Sequence, residues 1–187
     1  MTHPTEITDD GQHLWVTNWS DNSVAELNAS DGSLVRIISG PAYHFSGPWK
    51  MAADGPDIWV TNSYQFNEPN GIAVAGNDIW VASQNGNSVT EFNAKDGSPV
   101  RILSGTHSQY GFDNSSGIAL AGGLILVTNQ GSSTVTAIDA ATGKLVKQLP
   151  GFHAPYDISV AGSHVWIDNT QARNGQSGGS VAELTIS

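Results

Sequence analysis

Leu14-Trp15-Val16-Thr17-Asn18 is a phrase the chain repeats. It returns as Ile58-Trp59-Val60-Thr61-Asn62, as Ile79-Trp80-Val81-Ala82-Ser83, as Leu126-Val127-Thr128-Asn129 and as Val165-Trp166-Ile167-Asp168-Asn169. An echo at a fixed period marks a repeat architecture and has to be read before any local feature. Around the third echo the unit is best preserved. Gly71-Ile72-Ala73-Val74-Ala75-Gly76 is an apolar run ended by glycine, and Asp78–Ser83 follows it directly. Ser88–Asn93 then alternates apolar and polar, and Pro99–Leu103 closes the unit after Asp96-Gly97. Short β-branched and aromatic runs punctuated by Asn-Asp, Asn-Gly and Asp-Gly read as strands joined by tight turns. No stretch carries helical periodicity over ten residues. Four antiparallel strands recurring every ~40–45 residues form a propeller blade.

A landmark residue stands seven places before the glycine that ends each first strand, at Pro4, Pro48, Pro69, Ser115 and Pro155. Successive landmarks are one blade apart except Pro48 and Pro69, which are half a blade apart. The second blade therefore lacks its third and fourth strands. The last ends on a third strand, Ser180–Ile186. The expectation is an all-β, propeller-like array of about four to five four-stranded blades, the second and last incomplete. They form a single repeat domain over 1–187, with blades at 4–40, 48–62, 69–105, 115–150 and 155–187. The strand inventory leaves three arrangements open: an open or distorted assembly, a small closed ring, or self-association through the unpaired blade edges.

Composition narrows the partners. Lys plus Arg total 7 against 17 Asp plus Glu, a formal net charge of −10. That argues against nucleic acid and anionic membrane as partners, since both need a positive footprint. Cysteine is absent, which removes disulfides and thiolate metal sites. The start at Met1 has neither a basic n-region nor an apolar h-region, so no signal peptide is expected in this chain. No apolar run approaches the ~18 residues of a membrane span.

Gly71–Val74, Ile79–Ser83, Asn87–Asn93 and Asp96–Gly105 together resemble the NHL-type and streptogramin-lyase-like (YncE-like) bacterial propellers. The resemblance covers essentially the whole chain and implies the propeller fold and a setting compatible with export. It implies no single function, because such propellers include lyases, hydrolases, sensors and scaffolds. Lyases of that group use His and Glu with a divalent metal. No such constellation is matched here, so no catalytic residue, metal or cofactor is carried over.

The recurring Trp15, Trp59, Trp80 and Trp166 read as packing between blades. Asn18, Asn62, Asn129 and Asn169 read as amides that satisfy backbone groups at strand ends. Function is better sought where repeats differ. The linker entering each first strand should reach a channel mouth, and the two residues after each landmark should lie there. Trp49 and Tyr156 then offer aromatic faces, while Glu6, Lys50 and Asp157 offer charge, which are the ingredients of a small-molecule pocket. The competing reading pairs Lys50 with a neighbouring carboxylate and makes Trp49 a plug. His44, His107 and His153 lie in linkers on the same rim. Their positions are not equivalent, and they lack ligand spacing for a metal. Tyr43-x-Phe45, Tyr64-x-Phe66 and Tyr110-x-Phe112 read as latches holding linkers onto the rim. Glu6, Trp49, Lys50, Tyr156, Asp157, His44 and His153 are the candidate ligand-binding residues. The expected role is a non-enzymatic binding or interaction module for a small molecule, glycan or protein. The alternatives are a metal-assisted lyase or hydrolase and a fragment of a longer propeller.

Overall fold

The computed structural model describes residues 3–63, 67–105, 107–171 and 179–185. The motif at 64–66 lies outside the described residues. Among those described, the regular structure is antiparallel sheet with one short 3₁₀ turn, Pro41–Tyr43, and no helix is long and apolar enough to cross a membrane. The chain divides into two compact units, Met1–Pro69 and Asn70–Ser187.

In the first unit, β1 (Pro4–Asp9), β2 (His13–Asn18), β3 (Ser23–Asn28) and β4 (Leu34–Ser39) form one sheet in chain order. β5 (Pro48–Asp54) and β6 (Asp57–Asn62) form a second sheet of two strands. In the second unit, β7 (Pro69–Ala75), β8 (Asp78–Ser83), β9 (Ser88–Asn93) and β10 (Pro99–Ser104) make a four-stranded sheet. A second is made by β11 (Ser115–Ala121), β12 (Leu124–Asn129), β13 (Thr134–Asp139) and β14 (Leu145–Pro150). β15 (Pro155–Ala161), β16 (His164–Asn169) and β17 (Ser180–Thr185) form a three-stranded sheet. The fold is the expected propeller-like array, with its second and last blades short of strands among the described residues.

The hairpins follow from the sequence chemistry. Gly32 and Gly97 turn β3 into β4 and β9 into β10 at φ of 71° and 69°, a region glycine enters without steric cost. Beside each, an aspartate accepts from the backbone two residues on: Asp31 from Ser33 N and Asp96 from Ser98 N, both at 2.9 Å.

A bulge interrupts β1, β5, β11 and β15 just after the landmark residue, with register shifts at Pro4/Glu6, Pro48/Met51, Ser115/Ile118 and Pro155/Ile158. A bulge leaves backbone amides without ladder partners. The fourth residue of the repeated phrase meets that need. Thr61 Oγ1 accepts from Lys50 N at 3.1 Å and Thr128 Oγ1 from Gly117 N at 2.8 Å. In the last blade Asp168 replaces threonine, and its Oδ1 accepts from Tyr156 N and Asp157 N. The threonines also tie neighbouring blades together. Thr17 Oγ1 donates to Trp49 O at 3.1 Å in the first unit, and Thr128 Oγ1 donates to Tyr156 O at 2.8 Å in the second.

The residue before each landmark is left-handed: His3, Gly47, Glu68, Asn114 and Ala154 have φ between 49° and 63°. Its carbonyl accepts from the residue after the second strand, as in Ser63 N to Gly47 O at 2.8 Å and Gln130 N to Asn114 O at 3.3 Å. Its amide is held by the preceding blade: Asn22 Oδ1 accepts from Gly47 N and Asn87 Oδ1 from Asn114 N. The recurring asparagines extend this clasp. Asn62 Oδ1 accepts from Ser46 N at 2.9 Å and Asn169 Oδ1 from His153 N at 2.8 Å.

Trp80 is fully buried and Trp15 nearly so, as packing residues should be, whereas Trp166 is 41% exposed and stacks on His164. β17 is the last strand of its sheet, so that blade offers Trp166 less cover.

Candidate functional site

The two units contain the same packing arrangement, complete in one and incomplete in the other. In the second unit, Trp80, Val89 and Leu103 of one blade meet Phe112, Ile118, Ile125 and Val127, and the cluster is closed by Ile138 of the third strand β13. In the first unit, Trp15, Val24 and Ile38 meet Phe45, Met51, Ile58 and Val60. These occupy the same places within their strands, one for one. Among the described residues Ile138 has no counterpart here, because the sheet of β5 and β6 has no third described strand. A cleft of about 370 Å³ stands there, lined by Trp15, Val24, Ile38, Tyr43, Phe45, Pro56, Asp57, Ile58, Val60 and Asn62.

The linker aromatics register the same difference. Tyr110 and Phe112 stack at 5.4 Å with Phe112 fully buried, and Tyr110 is engaged by the hairpin of β13 and β14. Its hydroxyl donates to Gly143 O at 2.9 Å, and its carbonyl accepts from Thr136 Oγ1 at 2.8 Å. Tyr110 thus latches onto a hairpin that has no equivalent among the described residues of the first unit. Tyr43 and Phe45 stack in the same way, at 5.8 Å, but Tyr43 is 55% exposed at the edge of the cleft. The cleft is mainly apolar along its walls, with Asp57 and Asn62 at the two ends of β6 and the exposed Tyr43 among its lining.

The residues singled out from the sequence fall elsewhere. Trp49, Lys50, Tyr156 and Asp157 are the bulge residues of β5 and β15. Lys50 Nζ reaches Glu6 Oε2 at 2.7 Å, the carboxylate pairing that the competing reading expected of Lys50. Glu6 borders an open depression with Pro4, Thr5, Ile7 and Val16. The backbone carbonyls of Trp49 and Tyr156 are the acceptors of the inter-blade threonines. Asp157 Oδ1 accepts from the adjacent Ile158 N at 2.8 Å. His44 is exposed and ends the 3₁₀ turn in a left-handed conformation, and His153 donates its amide to Asn169. None of the seven lines the cleft. Among the described residues, no three His, Asp or Glu side chains are grouped to hold a metal ion.

Buried charge is structural in character. Glu26 and Glu91, both almost wholly buried, pair with Arg36 and Arg101 across the hairpins of β3–β4 and β9–β10. Burial pushes the Glu91 carboxyl above its ordinary range, Arg101 partly offsets this, and Asp78 adds to it. Asp10 is held well below its usual range, chiefly by the indole of Trp15, which donates to it at 2.8 Å.

A family model described as outer membrane protein assembly factor BamB matches residues 5–155. The chain belongs to this family. Among solved structures, similarity extends to a streptogramin B lyase at 19% identity and TM-score 0.69, over 98% of this chain and 68% of that one. BamB from Moraxella catarrhalis matches at 13% identity and TM-score 0.62, over 100% of this chain and 59% of that one. A chain of a mitotic checkpoint complex matches at 13% identity and TM-score 0.73, over 90% and 58%. At such identities the likeness shows the fold alone. This chain spans between about half and two thirds of the length of the solved structures it matches. No curated protein matches it. The family places the chain among the propellers, and the cleft is where it departs from its own repeat.

Proposed function

We propose that this chain is a non-enzymatic protein-interaction module whose binding site is the cleft beside β6. One observation carries the reading: an apolar wall that the second unit covers with a hairpin is left uncovered in the first. Contiguous exposed apolar surface of this kind marks interaction sites. Membership of the BamB family, and likeness to a propeller within a checkpoint complex, support a protein as the partner. The NHL-type character read in Gly71–Gly105 fits the same role.

The test uses an apolar probe. Anilinonaphthalene sulfonate should brighten on binding the full chain, and Ile38→Arg should abolish that response while far-ultraviolet circular dichroism stays unchanged. A response untouched by Ile38→Arg would place apolar binding elsewhere and sink the reading. The rim group of Glu6, Trp49 and Lys50 is the alternative surface. It would be favoured if Trp49→Ala, and not Ile38→Arg, removed probe binding.

The lyase alternative predicts that a divalent ion raises the melting temperature, because a ligand that binds only the folded state stabilises it by RT ln(1 + [L]/Kd). We expect no shift with magnesium, manganese or zinc.

A further inference from the structure

Resting on that reading of the cleft, we infer that its occupant is an extended strand of a partner protein. That strand pairs antiparallel with the outer edge of β6 and places one aliphatic side chain in the position Ile138 holds in the second unit. The second unit shows what such an occupant must look like. β13 pairs with β12 in the register Ile125–Ile138 and Val127–Thr136. Ile58 and Val60 stand where Ile125 and Val127 stand, so the incoming strand sets an aliphatic residue opposite Ile58. Two residues earlier it sets a hydroxyl residue opposite Val60, from which the carbonyl of Tyr43 accepts as that of Tyr110 accepts from Thr136. The outer edge of β6 is not paired with any described strand. Such an edge presents backbone donors and acceptors to an added strand, and alternate side chains of that strand supply specificity.

The chain does not supply this strand from its own neighbouring sequence. Only six residues separate Asn62 from Pro69 where β7 begins, too few for a strand and its returns. A second copy is also a poor donor. Val135, Thr136, Ala137 and Ile138 are fully buried in their own sheet, and Ala182 and Leu184 of β17 pack against the core of the second unit. Charge narrows the partner further. Asp57 ends the cleft and the chain carries a net charge of −10, so a basic residue opposite Asp57 is favoured.

The probe follows from the template: a synthetic peptide of residues 132–150 bearing Asp139→Lys, added to the intact chain. Titration followed by NMR should show saturable binding. Amide hydrogen exchange should slow at alternate residues along β6, and Ile138→Asp in the peptide should weaken binding at least about tenfold. Binding with unchanged exchange along β6 would overturn strand pairing and leave the cleft reading standing. Binding indifferent to Ile138→Asp would overturn the aliphatic anchor. Failure of the peptide to bind, while the apolar probe still reports the cleft, would overturn this inference alone. Failure of both would overturn it together with the proposed function. Dimerisation of the chain through β6, seen by light scattering and exchange without any peptide, would make the occupant a second copy and so overturn the choice of partner.

Discussion

Single positions already separate backbone conformation from packing. Glu68 is exposed and left-handed at φ 56°, where a non-glycine residue pays for its Cβ, while Gly47 fills the equivalent place in the preceding blade. Glu68→Gly should therefore stabilise the protein by about 1 kcal/mol, raising the melting temperature by roughly 2–4 °C in a calorimetric scan. The tryptophans give the complementary case. Trp80→Ala empties a closed core and should cost about 3–5 kcal/mol, measured by denaturant titration. Trp15→Ala should cost less, because the Trp15 ring already borders the cleft. Equal losses would argue that the cleft is filled in solution. Titration is also readable by position. Hydrogen bonds hold Asp10, Asp31, Asp96 and Asp139 below the ordinary carboxylate range, so their contribution is present above pH ~4 and is lost as pH falls below it. Glu91 acts with the opposite sign: its raised pKa costs stability near neutrality, and that cost is relieved as the pH drops. Stability should thus rise slightly on mild acidification and then fall. Changing Asp31, Asp96 and Asp139 together to Asn should flatten the acid limb, since the amide oxygen still accepts from the turn.

Strands and turns show why some of this was legible before the structure and some was not. Period-two alternation and Asp-Gly punctuation are local signals, so the boundaries at 78–83 and 88–93 could be read directly. The missing half blade was visible in the spacing from Pro48 to Pro69. The bulges were not seen, although they have a signature: a threonine or aspartate at the fourth place of the repeated phrase, opposite the two residues after the landmark. Those two residues were read as ligand contacts because they vary. The structure places them at the bulge, whose amides donate to the opposing threonine or aspartate. Thr128→Val tests this account. It keeps the shape, strands the amide of Gly117 and the link to Tyr156, and should cost about 1–3 kcal/mol by denaturant midpoint. The cleft itself escaped sequence reading for a different reason. Its walls come from β2, β3, β4, β6 and the linker at 43–45, and no local pattern states which sheet faces lack a neighbour.

Within each unit, neighbouring blades hold one another by short-range contacts, so a deletion within one blade need not disturb the next. That tolerance is what lets a half blade become a binding surface. We expect a monomer near 19.6 kDa by light scattering, with partner binding adding mass only when a strand is offered. The clasps between neighbouring blades have a mechanical corollary. Each joins a turn or strand end to the linker beside it, so tension on the chain is borne in series. Stretched from its ends in an optical trap, the protein should lengthen in discrete steps. The sheet of residues 48–62 should give the shortest, about 50 Å at full extension, against steps more than twice as long from the four-stranded sheets. A bound strand would stiffen that weakest link first.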